Sequence, residues 1–279
     1  MPELPEIETV RRGLERETVG RRVKTADARV AKLVRRNGSK KAFQSRVEGA
    51  KIKSVDRKGS LLVANLDNSD VLVFDLGENG RLLRAAPKDP VEKETALVVS
   101  FTQGGQLRLL DPDGDAEVFA VESGGLLDEV PELADLGLDP VASPVSWTSF
   151  AQALVKRRNE KLKGLLMDQS FVVGLGDLYT DEVLWDAGLR ADREVSTLST
   201  MEIRRLYRSL VEILHEATKH HGTSDEAHPF VDLHGKPGSF QEELEVWGRT
   251  GEACRRCRGT VGKTRVGGRT TFACPNCQV

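Results

Sequence analysis

The sequence predicts an α+β fold: an N-terminal helix and a two-sheet β-sandwich, then a helical domain closed by a C-terminal cysteine hairpin. Three observations carry this. Short β runs punctuated by Gly, Asn and Asp turns fill residues 23–121. Beyond Val145 the apolar period changes from two to about 3.6. All four cysteines lie in two CxxC pairs near the end of the chain.

Residues 5–18 read as a helix because Ile7, Val10 and Leu14 recur at helical spacing against Arg11, Arg12 and Arg16. Strand-like alternation follows over 23–34, with further β runs at 51–55, 60–66, 71–76, 97–101, 107–110 and 118–121. Prolines, glycines and acids break the pattern near 126–144. Helices are expected at 146–156, 160–167, 177–187 and 200–220. The expected organisation is a sandwich domain over 1–127, a linker over 128–144, a helical domain over 145–247 and the cysteine hairpin over 248–279.

At 279 residues, 39% hydrophobic and 30% charged, the chain reads as a soluble globular protein of two ordinary domains. No apolar run approaches a membrane span. The net charge of −2 conceals segregation. Residues 1–58 hold 17 Lys/Arg against 8 Asp/Glu, residues 59–150 hold 5 against 17, and residues 249–279 hold 7 against one. Two basic ends that converge would make a phosphate-binding surface; the competing reading is solvated faces of unrelated elements.

Cys254-x2-Cys257 and Cys274-x2-Cys277, separated by residues 258–273, have the spacing of a four-thiolate zinc site. Two disulfides in a secreted chain are the competing reading, but nothing at the N-terminus reads as a signal peptide. With no open ligand position, the zinc is structural and folds a segment too short to bury its own core.

The chain opens Met1-Pro2-Glu3-Leu4-Pro5-Glu6. Once Met1 is removed, as expected ahead of a small residue, Pro2 is a secondary amine that can attack an electrophilic carbon and form an iminium. Glu3 beside it is a candidate proton donor. The competing reading is a Pro/Glu-rich tail that caps the first helix. Residues 166–179 form a third motif: helix, glycine-bearing double turn, helix. It brings backbone N–H groups to a helix N-terminus, a ready phosphate site, although an ordinary helical hairpin has the same outline. His220, His221, His228 and His234 read as loop or helix-end residues, with a second metal site as the less favoured alternative.

In this order, the Pro-Glu terminus, the helix–two-turn–helix and the zinc hairpin resemble the formamidopyrimidine-DNA glycosylase/endonuclease VIII family, and the opening residues favour its formamidopyrimidine branch. Residues 235–240 and 243–249 resemble the stretch before the family's zinc finger. The resemblance implies an enzyme that flips a damaged base out of duplex DNA. Pro2 would displace the base at C1′, Glu3 would protonate the sugar ring oxygen and Glu6 would hold the site. β- and δ-elimination would then cut the strand. An unperturbed terminal amine, with a pKa of about 7.7–8.0, keeps a useful neutral fraction near pH 7.

Some positions depart from the family pattern. Ser60 stands where the family has a phosphate-binding lysine, and Lys58, two positions earlier in a strand, would face the same way. Asp177 replaces a phosphate-contacting asparagine and would repel phosphate unless protonated or bridged. Glu78 stands at a void-filling methionine, and Asp113 and Asp115 fall where an arginine and a phenylalanine fill the hole left by the flipped base. Arg269 matches the family's finger arginine, whereas Arg255, Arg256, Arg258, Lys263 and Arg265 read mostly as a solvated basic face.

The expectation is therefore a monomeric, cytoplasmic, nucleoid-associated repair glycosylase and AP lyase acting on double-stranded damaged DNA. The alternative is a catalytically weak or inactive relative that binds nucleic acid or a protein.

Overall fold

The structure, a computed structural model, describes residues 2–225 and 229–279. The chain forms two compact units: Met1–Ala134 with His221–Ser239, and Asp135–His220 with Phe240–Val279.

The first unit opens with α1 (Leu4–Thr18), which buries Leu4, Ile7, Val10 and Leu14. Strand β1 (Val23–Ala28) is followed by a 3-10 stretch, Ala31–Asn37. The alternation expected to 34 stops at Ala28, because adjacent Leu33 and Val34 are both buried, which a strand with two opposite faces cannot achieve against one core. Next comes α2 (Lys40–Val47), capped by Ser39, whose hydroxyl accepts from the Ala42 amide at 3.1 Å. Only Phe43 and Val47, four apart, anchor it, too sparse an apolar pattern to stand out in sequence.

The remaining strands are β2 (Ile52–Lys58), β3 (Leu61–Leu66), β4 (Asp70–Asp75), β5 (Arg81–Ala85), β6 (Thr95–Phe101), β7 (Gln106–Leu110) and β8 (Glu117–Glu122). They pair antiparallel into two sheets, ordered β1-β6-β7-β5 and β2-β3-β4-β8. Leu62, Ala64, Leu72 and Phe74 face the inner core, together with Val99, Phe101 and Leu107. Leu61, Val63, Val71, Val73 and Phe119 lie on the opposite face under Leu126 of α3 (Leu126–Glu129). With both faces covered, β3 and β4 read as continuous apolar runs. Each fully buried Leu or Phe side chain stabilises the fold by about 1.5–3 kcal/mol.

The second unit holds α4 (Trp147–Lys156), α5 (Leu162–Leu166), α6 (Asp177–Ala187), α7 (Thr200–Lys219) and a hairpin of β9 (Gly262–Val266) and β10 (Arg269–Ala273). Helix α6 packs on both α7 and β10. It ends at Gly188, whose φ of 68° is the left-handed cap that glycine supplies without steric cost. A Ser199–Glu202 capping box starts α7. Leu138 bridges to Val172, its N–H donating to the Phe171 carbonyl at 2.9 Å, so an upstream segment braces the double turn.

Candidate active site, phosphate contacts and metal centre

In the first unit, Pro2 and Glu3 are half-buried immediately before α1. Glu3 is the N-cap, and its extended backbone turns the chain into the helix. Its amide donates to Glu6 Oε2 at 3.1 Å, half of a capping box with Glu6 at the third helical position. The other oxygen, Oε1, accepts from the Thr223 amide at 2.7 Å. Glu6 is only 4% exposed, so one buried carboxylate ties the first residues to the segment around Thr223. Gly222 makes this approach possible: its φ is +85°, and a Cβ there would lie 2.5 Å from Glu6 Oε1.

One turn further along, Glu8 is buried among arginines. It accepts from Arg11 Nε at 3.0 Å, Arg12 Nε at 2.8 Å and Arg57 Nε at 3.2 Å. Burial pushes its carboxyl up, but Arg11, Arg12 and Arg57 more than offset this and hold it below the usual range. Arg57, whose side chain is 1% exposed, thereby fastens β2 to α1.

Lys58 is exposed at the end of β2, paired in register with Leu61. Ser60 lies in the intervening turn, where Gly59 has a φ of +63°. The strand-parity argument relating Lys58 to Ser60 therefore fails: β2 ends at Lys58, and alternation does not extend through a turn. The two acidic turns are linked. The Glu78 amide donates to Asp115 Oδ2 at 2.9 Å, and Asn79 Nδ2 donates to Asp113 Oδ2 at 2.6 Å. Burial pushes the Asp75 carboxyl up, reinforced by neighbouring Glu117 and Asp115.

In the second unit, Asp177 is the first residue of α6 and its side chain is 33% exposed. Lys163 Nζ lies 3.1 Å from Asp177 Oδ1, and Arg269 Nη1 of β10 lies 3.8 Å from Oδ2. The carboxylate is thus bridged by two cations, one of the conditions under which a phosphate is not simply repelled. Lys163 is 1% exposed and donates to Asp181 Oδ1 at 2.8 Å and to the Thr270 carbonyl. Asp181 Oδ2 accepts from the Phe272 amide at 2.8 Å. Burial pushes Asp181 up to about 7 even though Lys163 opposes the shift. Fully buried Glu182 accepts from the amides of Glu245, Val246 and Trp247 at 2.8–3.0 Å; burial raises its pKa against those bonds. Two consecutive acids of α6 therefore hold the hairpin and the turn segment Glu245–Trp247 that precedes it.

The four cysteine sulfurs lie within 4.8 Å of one another, with Cys254–Cys277 at 3.8 Å and Cys257–Cys274 at 3.5 Å. A disulfide needs about 2.05 Å. A tetrahedron of sulfurs about 2.3 Å from a central zinc has edges of roughly 3.8 Å, which these distances match. Four thiolates complete the coordination of one structural zinc. Trp185, Val246, Val261 and Phe272 pack around the site.

Among the described residues, the cysteines are the one group of three or more His, Cys, Asp or Glu placed to hold a metal. His220 packs on Phe240 with centroids 6.0 Å apart, His234 lies 3.6 Å from Glu17, and His228 is outside the described residues. The sequence reading missed Lys163, Asp181, Glu182 and the Arg57–Glu8 pair. Their local signal is weak: charged residues in otherwise buried helix and strand positions, with partners 18 to 107 residues away.

Family models match along the chain in order: the formamidopyrimidine-DNA glycosylase N-terminal domain over residues 1–114, its H2TH domain over 136–228, and the zinc finger found in FPG and IleRS over 251–279. The formamidopyrimidine-DNA glycosylase of Pelotomaculum thermopropionicum is 34% identical, covering 100% of this chain and 99% of its own length. That of Geobacillus kaustophilus is 37% identical, covering 100% of both. The Lactococcus lactis Fpg solved in complex with abasic-site DNA superposes with a TM-score of 0.88 at 32% identity, covering 99% of each chain. The same enzyme with N7-benzyl-Fapy-dG DNA also superposes at 0.88. The chain belongs to the formamidopyrimidine-DNA glycosylase family.

Proposed function

We infer that this protein is a base-excision repair DNA glycosylase with AP-lyase activity, acting through Pro2 on oxidised or otherwise modified bases in duplex DNA. The observation that carries this reading is the fixing of Glu3, next in the chain to Pro2, at the start of α1 by the Glu6 carboxylate, which is hydrogen-bonded on both oxygens. A catalytic amine needs this kind of preorganisation, because holding a nucleophile near attack geometry removes much of the entropic barrier.

The neutral Pro2 nitrogen attacks C1′, and the N-glycosidic electron pair leaves with the base, which takes up a proton. Glu3 donates a proton to the ring oxygen as the ring opens, the nitrogen loses its own proton, and an iminium links protein to sugar. Loss of a C2′ proton expels the 3′ phosphate, and a second elimination expels the 5′ phosphate. Glu6 acts as a positioning residue. Arg269 takes backbone phosphate, with Lys58 and Ser60 as contacts at the β2–β3 turn and Asp177 beside Arg269. The zinc shapes the hairpin that carries Arg269. No helix among the described residues is long and apolar enough to cross a membrane, and we place the protein in the cytoplasm with the DNA.

The test is incubation with a duplex bearing one formamidopyrimidine lesion. Strand cleavage at the lesion is expected. Failure to release or cleave at any oxidised base or abasic site would overturn the reading.

A further inference from the structure

Asp177 is an unusual group to find beside a phosphate-gripping arginine. Three anion-attracting features surround its carboxylate: the N-terminus of α6, Lys163 at 3.1 Å and Arg269 at 3.8 Å. It is nonetheless weakly satisfied. Its buried Oδ1 meets the Lys163 ammonium at 3.1 Å as an ion pair outside hydrogen-bond alignment, while two of the ammonium's three donors go to Asp181 and the Thr270 carbonyl. Lys163 already has a fully buried partner in Asp181, at 2.8 Å, so Asp177 is its second carboxylate. Arg269 is 55% exposed, so its guanidinium meets both Asp177 and solvent.

We propose that Asp177 is a resident anion in the phosphate seat of the hairpin, competing with a DNA backbone phosphate for Arg269 and setting how tightly this glycosylase holds its substrate. The proposal rests on the functional reading above. In the absence of DNA, Asp177 occupies Arg269; a bound phosphodiester displaces it, at an electrostatic cost that a neutral side chain would not impose. A carboxylate about 5 Å from a phosphate, at an effective dielectric between about 40 and about 80, weakens binding roughly 4- to 20-fold.

The experiment compares wild type with Asp177→Asn, an isosteric neutral change, for binding to a duplex carrying a tetrahydrofuran abasic analogue across a salt series. Asp177→Asn is expected to bind about 4- to 20-fold tighter at low salt. Its plot of log affinity against log salt should be steeper by up to about 0.9, because no displaced carboxylate takes up a cation when the phosphate is seated. In an Arg269→Ala background the gain should vanish. A purely structural role for Asp177 would instead lower thermal stability and affinity with no change of slope. Unchanged or weaker binding by a folded Asp177→Asn, or a gain that survives Arg269→Ala, would overturn the proposal. If wild type binds no duplex but Asp177→Asn does, the proposal stands. If neither binds, both it and the functional reading fall, whereas wild-type binding with no Asp177→Asn effect overturns the proposal alone.

Discussion

Replacing Lys163 by methionine keeps the bulk of a buried side chain and removes its charge. Lys163 and Asp181 are 1% exposed each, so the change leaves a carboxylate in the interior with the Phe272 amide as its remaining hydrogen-bond donor and strands the Thr270 carbonyl. Breaking one side of a buried ion pair costs about 3–5 kcal/mol. The loss has a pH signature. Asp181 titrates at about 7 in the fold against 3.8 in the unfolded chain, so the stability linked to its protonated form is full below about pH 4 and is lost as pH rises through about 7. Without Lys163 the folded value moves higher still, because an influence that lowers it is gone. Lys163→Met should therefore be most destabilising at pH 8 and least at pH 5, and Asp181→Asn in the same chain should restore most of the loss. All three tryptophans, Trp147, Trp185 and Trp247, lie in the second unit, so urea unfolding followed by tryptophan emission reads that unit. A loss below about 1 kcal/mol at pH 8, or one independent of pH between 5 and 8, would refute the assignment of this pair as the core of the helix–hairpin junction.

Other outcomes follow from the same geometry. Chelating the zinc should expose four reactive thiols and shift tryptophan emission, since Trp185 and Trp247 pack on the hairpin; emission that ignores the metal would contradict the packing. Gly222→Ala puts a Cβ 2.5 Å from Glu6 Oε1 at a φ of +85°, so lesion cleavage should fall at least tenfold while the tryptophan-monitored stability of the second unit stays unchanged. Arg193, with help from the Ser199 amide, lowers Glu202 to about 2, so its stabilisation is present above about pH 4.5 and lost as pH falls through about 2. Glu202→Gln should therefore lower the melting temperature by a few degrees at pH 7, with the difference shrinking in acid.

The parts of the fold legible in sequence are those whose signal is local. Helix α6 is bounded by Gly176 and Gly188, and its expected limits agree with the observed ones. The CxxC pairs locate the metal without any fold. Strand β5 was invisible because adjacent Leu82 and Leu83 break alternation, and pairing with β7 makes it a strand. The site divides in the same way. Pro2, Glu3, Glu6 and Arg269 can be proposed as site residues from their order along the chain, but the surroundings of Asp177 cannot. Whether its carboxylate repels or is bridged depends on Lys163 and Arg269, brought to it from 14 and 92 residues away. Thr223, which holds Glu6, is 217 residues distant.

The most direct measurement is borohydride trapping on duplex DNA with a single abasic site, using protein with a verified Pro2 terminus beside Pro2→Gly and Glu3→Gln. The account predicts a covalent protein–DNA band that is lost in Pro2→Gly and formed more slowly in Glu3→Gln. No band from the wild type, or a band that survives Pro2→Gly undiminished, would contradict the assignment of the terminal amine as nucleophile.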